Sequence, residues 1–176
     1  ELANCRNYIV GDNHMALEAM ADSASGMGLK PYVETSEQTG DTTTVASEWA
    51  DQFIDGKYAA YDVVLLGGET TLKVPQKSRK GGRNQHYAAL SMLEFSDCPT
   101  PWLVASMGTD GTDYLPEVAG AMVDQESLIS TRRHEMDIKS YLDNFDSNGL
   151  LRKIGHSLIL TGETGTNVGD IMLYMC

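Results

Sequence analysis

An α/β fold, with a parallel or mixed sheet covered by helices on both faces in a three-layer, Rossmann-like arrangement, is what this 176-residue sequence predicts. Three observations carry that expectation. Short apolar runs alternate with stretches whose apolar residues recur at helical spacing. Runs such as residues 62–66 are near-continuously apolar, as in strands buried on both faces. Glycine-rich polar turns follow several of the runs, and open α/β sheets bind ligands beyond the carboxyl ends of their strands.

In chain order, residues 8–10 (Tyr-Ile-Val) read as a short strand stopped by Gly11, with Asp12 or Asn13 positioned to cap the next helix. Ala16, Met20, Ala24 and Met27 give that helix a core stripe, and Gly26 and Gly28 end it. A second strand is expected over residues 30–34 and a polar loop from Thr35 to Thr44. A helix follows in which Val45, Trp49 and Phe53 share a face and Gly56 marks the stop. With the strand at 62–66, the leading segment reads β-α-β-α-β. Beyond it, a helix from Arg83 to Phe95 carries Tyr87, Leu90 and Leu93 on one side. Residues 102–106 form a buried strand, and residues 119–123 a strand or the lead into a helix at 127–133. Helical turns are expected at 137–142 and 144–151. The last core strand is expected at 157–161, and residues 171–174 as an edge strand.

One compact domain over 1–176 accounts for this length and for the 41% hydrophobic content. A formal charge of -12 argues against nucleic acid or an anionic membrane as partner, since both need a broad basic face. Cys5, Cys98 and Cys176 are far apart and form neither a disulfide framework nor a C-x-x-C pattern. There is no N-x-[ST] sequon and no apolar run long enough for a membrane span. A cytoplasmic location fits best, or a mitochondrial one in a eukaryote. The chain starts without Met and enters structure at once, as a piece of a longer polypeptide would.

Residues 65–85 stand out against the acidic background. The pair Gly67-Gly68 ends an apolar run, and Gly81-Gly82 precedes a helix. Lys77, Arg79, Lys80 and Arg83 place four of the chain's thirteen basic residues within seven positions. A bound anion explains that concentration, because a glycine-rich helix start adds backbone N–H groups and the positive end of the helix dipole. Paired glycines also make plain turns, and solvated lysines are ordinary.

Three turns (67–71, 108–113 and 162–170) would gather at one sheet edge if their strands are parallel. They supply Glu69, Asp110, Asp113 and Asp170, the hydroxyls of Thr70, Thr109, Thr164 and Thr166, and the amide of Asn167. Carboxylates beside hydroxyls and a cationic clamp suit a magnesium–nucleotide site. No Walker A, protein-kinase loop or complete G-x-G-x-x-G is present. The four histidines are scattered and show no metal-binding spacing.

Taken together, Gly67-Gly68-Glu69-Thr70-Thr71, Lys80-Gly81-Gly82-Arg83-Asn84-Gln85, Gly108-Thr109-Asp110-Gly111-x-Asp113, Ala119-Gly120-Ala121, Asp146-Ser147 and Gly165-Thr166-Asn167-Val168-x-Asp170 resemble the MOFRL domain. That domain is the C-terminal part of two-domain glycerate 2-kinases, some of which are labelled hydroxypyruvate reductase. The likeness is clearest over 62–176, with 1–61 as a leading segment. It implies ATP- and Mg²⁺-dependent transfer of the γ-phosphoryl group to the 2-hydroxyl of D-glycerate, at a cleft shared with a larger N-terminal domain. By the resemblance, Arg83, Asp110 and Glu69 are the candidate catalytic residues. Gly67, Gly68, Thr70, Lys80, Gly81, Gly82, Asn84, Gly108, Thr109, Asp113, Thr166 and Asn167 would bind substrate or nucleotide. Asp110, Asp113 and Asp170 would meet the metal, although metal and substrate roles are not separable from sequence. Where the family continues after Asp113 with a Gly-Pro-Thr-Asp type turn, this chain has Tyr114-Leu115-Pro116-Glu117, which bulks the loop. It also has Glu163 and Gly169 where the family favours proline and asparagine. An NAD(P)H-dependent hydroxypyruvate reductase and a non-catalytic module binding a small anion or a partner remain as alternatives. A homodimer is compatible with the sequence.

Overall fold

The computed structural model describes residues 4–75 and 79–175; Lys77 of the basic stretch and Cys176 lie outside the described residues. In chain order the elements are α1 (Asn13–Gly26), β1 (Pro31–Gln38), α2 (Thr42–Ile54), β2 (Val63–Gly68), α3 (Arg83–Glu94) and β3 (Leu103–Gly108). They continue with β4 (Gly120–Asp124), α4 (Gln125–Arg133), α5 (Ile138–Asp143), α6 (Ser147–Ile154), β5 (Leu158–Ile159) and β6 (Asp170–Met175). One mixed sheet has the order β1-β2-β6-β3-β4-β5. β1 and β2 are parallel, whereas β6 runs antiparallel to both of its neighbours, β2 and β3. The α/β class and the mixed sheet with helices on both faces are as the sequence predicts.

The layers follow from the strand alternation. Val63, Leu65 and Ile171 point to one face, where Leu17 and Ala24 of α1 cover them. Val64, Leu66, Val104, Met172 and Tyr174 point to the other, where α2 to α6 pack. α2 is amphipathic in the expected register, with Val45, Trp49 and Phe53 buried and Asp41 capping it through the Thr43 and Thr44 amides. α3 differs from its expected one-sided pattern, because every residue from Asn84 to Met92 is buried. It runs through the middle of the helical layer, between the sheet and α2, α5 and α6.

Four expectations change. Residues 8–10 form no strand, and Tyr8, Ile9 and Val10 are exposed, so the chain opens α-β-α-β. Met27 leaves the core stripe of α1: it sits at the C-cap and is exposed, while Leu17 takes the fully buried place. The polar segment after residue 34 continues β1 to Gln38, because its backbone bonds along β2 whatever its side chains. The last two strands exchange places. β6, expected at an edge, is central, and the segment expected as the last core strand pairs only through Leu158 and Ile159 at the sheet's edge. Strand position is set by long-range pairing, which a short apolar run does not encode.

Candidate functional site

β2 and β3 end at the same edge of the sheet, and β6 begins between them, with Asp170 paired to Gly68 on one side and Gly108 on the other. The three glycine-rich turns therefore meet at one edge even though β6 is antiparallel, since its start lies where its neighbours finish. Thr109 ties two of the turns together. Its hydroxyl donates to the Gly169 carbonyl at 2.8 Å and accepts from the Val168 amide at 2.9 Å.

α3 starts at this edge, and its N-terminus is held by a carboxylate from another turn. Asp113 is 5% exposed and accepts from the backbone amides of Asn84 (3.1 Å) and Gln85 (2.8 Å) and from the Gln85 side-chain amide (3.0 Å). A helix start leaves its first N–H groups without intrahelical partners, and Asp113 satisfies two of them. Asp113 thus takes two of the helix-start amides that the sequence offers to an anion. Gly82 is required by this approach, since a Cβ there would lie 2.2 Å from the Asp113 carboxyl. Burial pushes the Asp113 carboxyl above its ordinary value, and the bonds from Gln85 and Asn84 pull it back.

Arg83, the first residue of α3, reaches back over the sheet edge. Its Nε and Nη2 donate to the two oxygens of Asp170 at 2.6 and 3.0 Å, and Nη1 lies 2.9 Å from Glu69. Asp170 is 2% exposed, so this fork is a charge pair withdrawn from water on one side. Hydrogen bonding to Asp170 raises the Arg83 pKa further above its already high value. Two of the five guanidinium donors are taken by Asp170, and Nη1 stands beside Glu69 as an ion pair. Of the basic stretch, Arg79 lies 3.6 Å from Asp146. Its cations are therefore offset in part by the chain's own carboxylates rather than standing as one open cluster.

Two cavities share the wall formed by Glu69, Arg83, Asp113 and Tyr114. The larger, of 470 Å³, extends along Thr70, Leu72 and Val74 to Gly81 and Gly82. The smaller, of 270 Å³, is bounded by Gly108, Asp110, Thr112, Asn167, Gly169 and Asp170. Ten of the residues singled out from sequence come together here: Glu69, Thr70, Gly81, Gly82, Arg83, Gly108, Asp110, Asp113, Asn167 and Asp170. Gly67, Gly68, Lys80, Asn84, Thr109 and Thr166 line neither cavity. Asn84, for instance, is buried behind the site and accepts from the Ser106 hydroxyl.

Among the described residues, no group of three or more His, Cys, Asp or Glu side chains is placed to hold a metal. Asp113 is engaged with α3 and Asp170 with Arg83. Asp110 Oδ1 accepts from the amide and hydroxyl of Thr112. Among the described residues these carboxylates therefore form no dedicated cage for a metal.

Sequence reasoning missed Asn13. Its amide donates at 2.9 Å to both the Val168 and Asp170 carbonyls, pinning the last turn to the start of α1. Gly67 makes room for it, since a Cβ there would lie 1.6 Å from Asn13 Oδ1. The sequence offers Asn13 as a helix cap, a role that Asp12 takes by accepting from the Met15 amide. No local pattern signals a contact spanning 155 residues.

The pattern that defines the MOFRL family matches residues 62–170. The chain belongs to the MOFRL family. A glycerate 2-kinase of Pyrococcus horikoshii is 33% identical over 181 residues, covering 98% of this chain and 40% of that protein. A glycerate 2-kinase of Picrophilus torridus is 42% identical over 110 residues, covering 62% of this chain and 24% of its own length. The crystal structure of glycerate kinase from Thermotoga maritima superposes with a TM-score of 0.90 at 26% identity, over 99% of this chain and 43% of that one. This MOFRL chain thus spans about two fifths of the length of such relatives. No helix among its described residues is long and apolar enough to cross a membrane.

Proposed function

We propose that this MOFRL chain forms one wall of the active site of a glycerate 2-kinase, which transfers the γ-phosphoryl group of ATP to the 2-hydroxyl of D-glycerate. The names of the relatives support the kinase class, and the remaining length of those relatives would supply the opposite wall of the cleft. The observation that carries the reading is the position of Arg83, whose guanidinium is fixed between Asp170 and Glu69 where the two cavities meet.

Phosphoryl transfer asks little covalent chemistry of the protein; it needs the reacting groups aligned and the spreading charge neutralised. Arg83 has N–H groups beyond the two that Asp170 takes, and they suit a phosphoryl oxygen. Because Asp170 holds the guanidinium before any ligand arrives, its alignment costs no reorganisation during reaction. Glu69, largely exposed across from it, is the carboxylate suited to orient the acceptor hydroxyl. Mg²⁺ brought on the nucleotide would neutralise phosphate charge, and Asp110 is the residue suited to contact it. The amides of Gly81 and Gly82 and the hydroxyl of Thr70 suit the remaining phosphate and substrate oxygens.

The test is turnover by the full-length polypeptide. Arg83→Ala lowers kcat by about 10³-fold or more, the scale lost when a phosphoryl-transfer arginine is removed, and it also lowers the melting temperature, because Asp170 is left buried without its partner. Near-native turnover in that variant would overturn the role of Arg83. Oxidation of NAD(P)H by hydroxypyruvate, without phosphorylation of glycerate, would overturn the kinase reading in favour of a reductase.

A further inference from the structure

Tyr114 occupies an unusual place on the shared wall. Its side chain is 77% exposed, yet its backbone lies at φ 66°, in the left-handed region that L side chains adopt only at a cost. The flanking residues hold it there. Asp113 is anchored to α3 through its carboxylate and through its carbonyl, which accepts from the Gln85 side chain at 3.0 Å. On the other side, the Val118 amide closes a turn onto the Leu115 carbonyl at 3.0 Å. The ring is therefore carried on a fixed, strained backbone. Such strain persists where the surroundings impose it, and it collects at ligand sites.

The larger cavity that Tyr114 borders has a mixed lining. Gly81, Gly82 and Arg83 border it together with the carboxylates Glu69 and Asp113, which are engaged by Arg83 and by α3, and so do the aliphatic side chains of Leu72 and Val74, the latter half-exposed. Its 470 Å³ lies within the range of mononucleotide-sized sites. A ligand matching this lining carries an anionic part and an apolar part, as a nucleoside polyphosphate does. A tyrosine loses little freedom on contact and offers a face to any base.

We propose that Tyr114 is a stacking platform for the nucleobase, and so a nucleoside-binding residue of the larger cavity. This rests on the kinase reading above and deepens it by assigning the nucleotide to the larger cavity. Calorimetry on the full-length polypeptide with Mg-ATP, and separately with magnesium tripolyphosphate, tests it. Tyr114→Ala weakens ATP by about tenfold, the scale of one base–aromatic stack, and leaves tripolyphosphate unchanged. Tyr114→Phe keeps native affinity for both. Tyr114→Gly, which accepts φ 66° without strain, loses ATP affinity as Tyr114→Ala does, with a melting temperature no lower than that of the native protein. In turnover, the KM for ATP rises while kcat holds. Unchanged ATP affinity in Tyr114→Ala, or an equal loss for both ligands, overturns the inference and leaves the kinase reading standing. A native polypeptide that binds neither ligand overturns both.

Discussion

Replacing Asp113 by alanine tests whether this carboxylate fixes the start of α3. The substitution removes the acceptor of two backbone amides, those of Asn84 and Gln85, on residues that are 3% and 0% exposed. Water cannot reach them without opening the helix start. Each buried donor left unpaired costs about 1–3 kcal/mol, so the loss is about 4 kcal/mol for the pair. The Gln85 side chain keeps its bond to the Asp113 carbonyl, so its share is smaller. Urea denaturation followed by tryptophan fluorescence reads the effect, because Trp49 and Trp102 both lie in the core that α3 crosses. With a slope of about 2 kcal/mol per molar urea, the midpoint falls by about 2 M. Asp113→Asn, which keeps one acceptor oxygen and the shape of the side chain, loses about half as much. A midpoint for Asp113→Ala within about 0.5 M of the native value would refute the reasoning and mean that α3 holds its start by packing alone.

His86 is buried beside the Phe145 ring, and burial pushes its pKa down to about 4 against a weaker upward pull from Asp41. In the unfolded chain it titrates near 6.5, so between these values the unfolded state binds a proton that the native state refuses. Its contribution is intact above pH 6.5 and falls as pH drops toward 4, by about 3 kcal/mol in all. Urea midpoints at pH 7 and pH 4.5 should show this slope in the native chain and a shallower one in His86→Leu; equal slopes would sink the assignment. Gly67→Ala drives a methyl group into the Asn13 amide and releases the bonds to Val168 and Asp170. It should cost about 2 kcal/mol and speed hydrogen exchange in residues 162–170 selectively. Exchange unchanged there would show that Asn13 does not anchor the turn.

The sequence by itself determined which segments become helices and strands wherever local signals are strong. Asp12 caps α1 as a short polar residue before a helical stripe does, and the unbroken apolar run of β2 announces burial on both faces. It also delivered the residues of the edge turns and the glycine pair before α3, since these are local in the chain. Sequence could not decide what those residues touch. Whether Asp113 faces a metal or the N-terminus of α3 depends on a contact across 29 residues, and the pairing of Arg83 with Asp170 spans 87. Nor could it place β6 between β2 and β3, because a short, mostly apolar strand is equally at home at an edge or in the centre until its neighbours are known. Tertiary structure decided these points for one physical reason. Charge pairing, capping by a distant carboxylate and strand order are properties of groups brought together by the fold, whereas periodicity and turn chemistry belong to residues already adjacent along the chain.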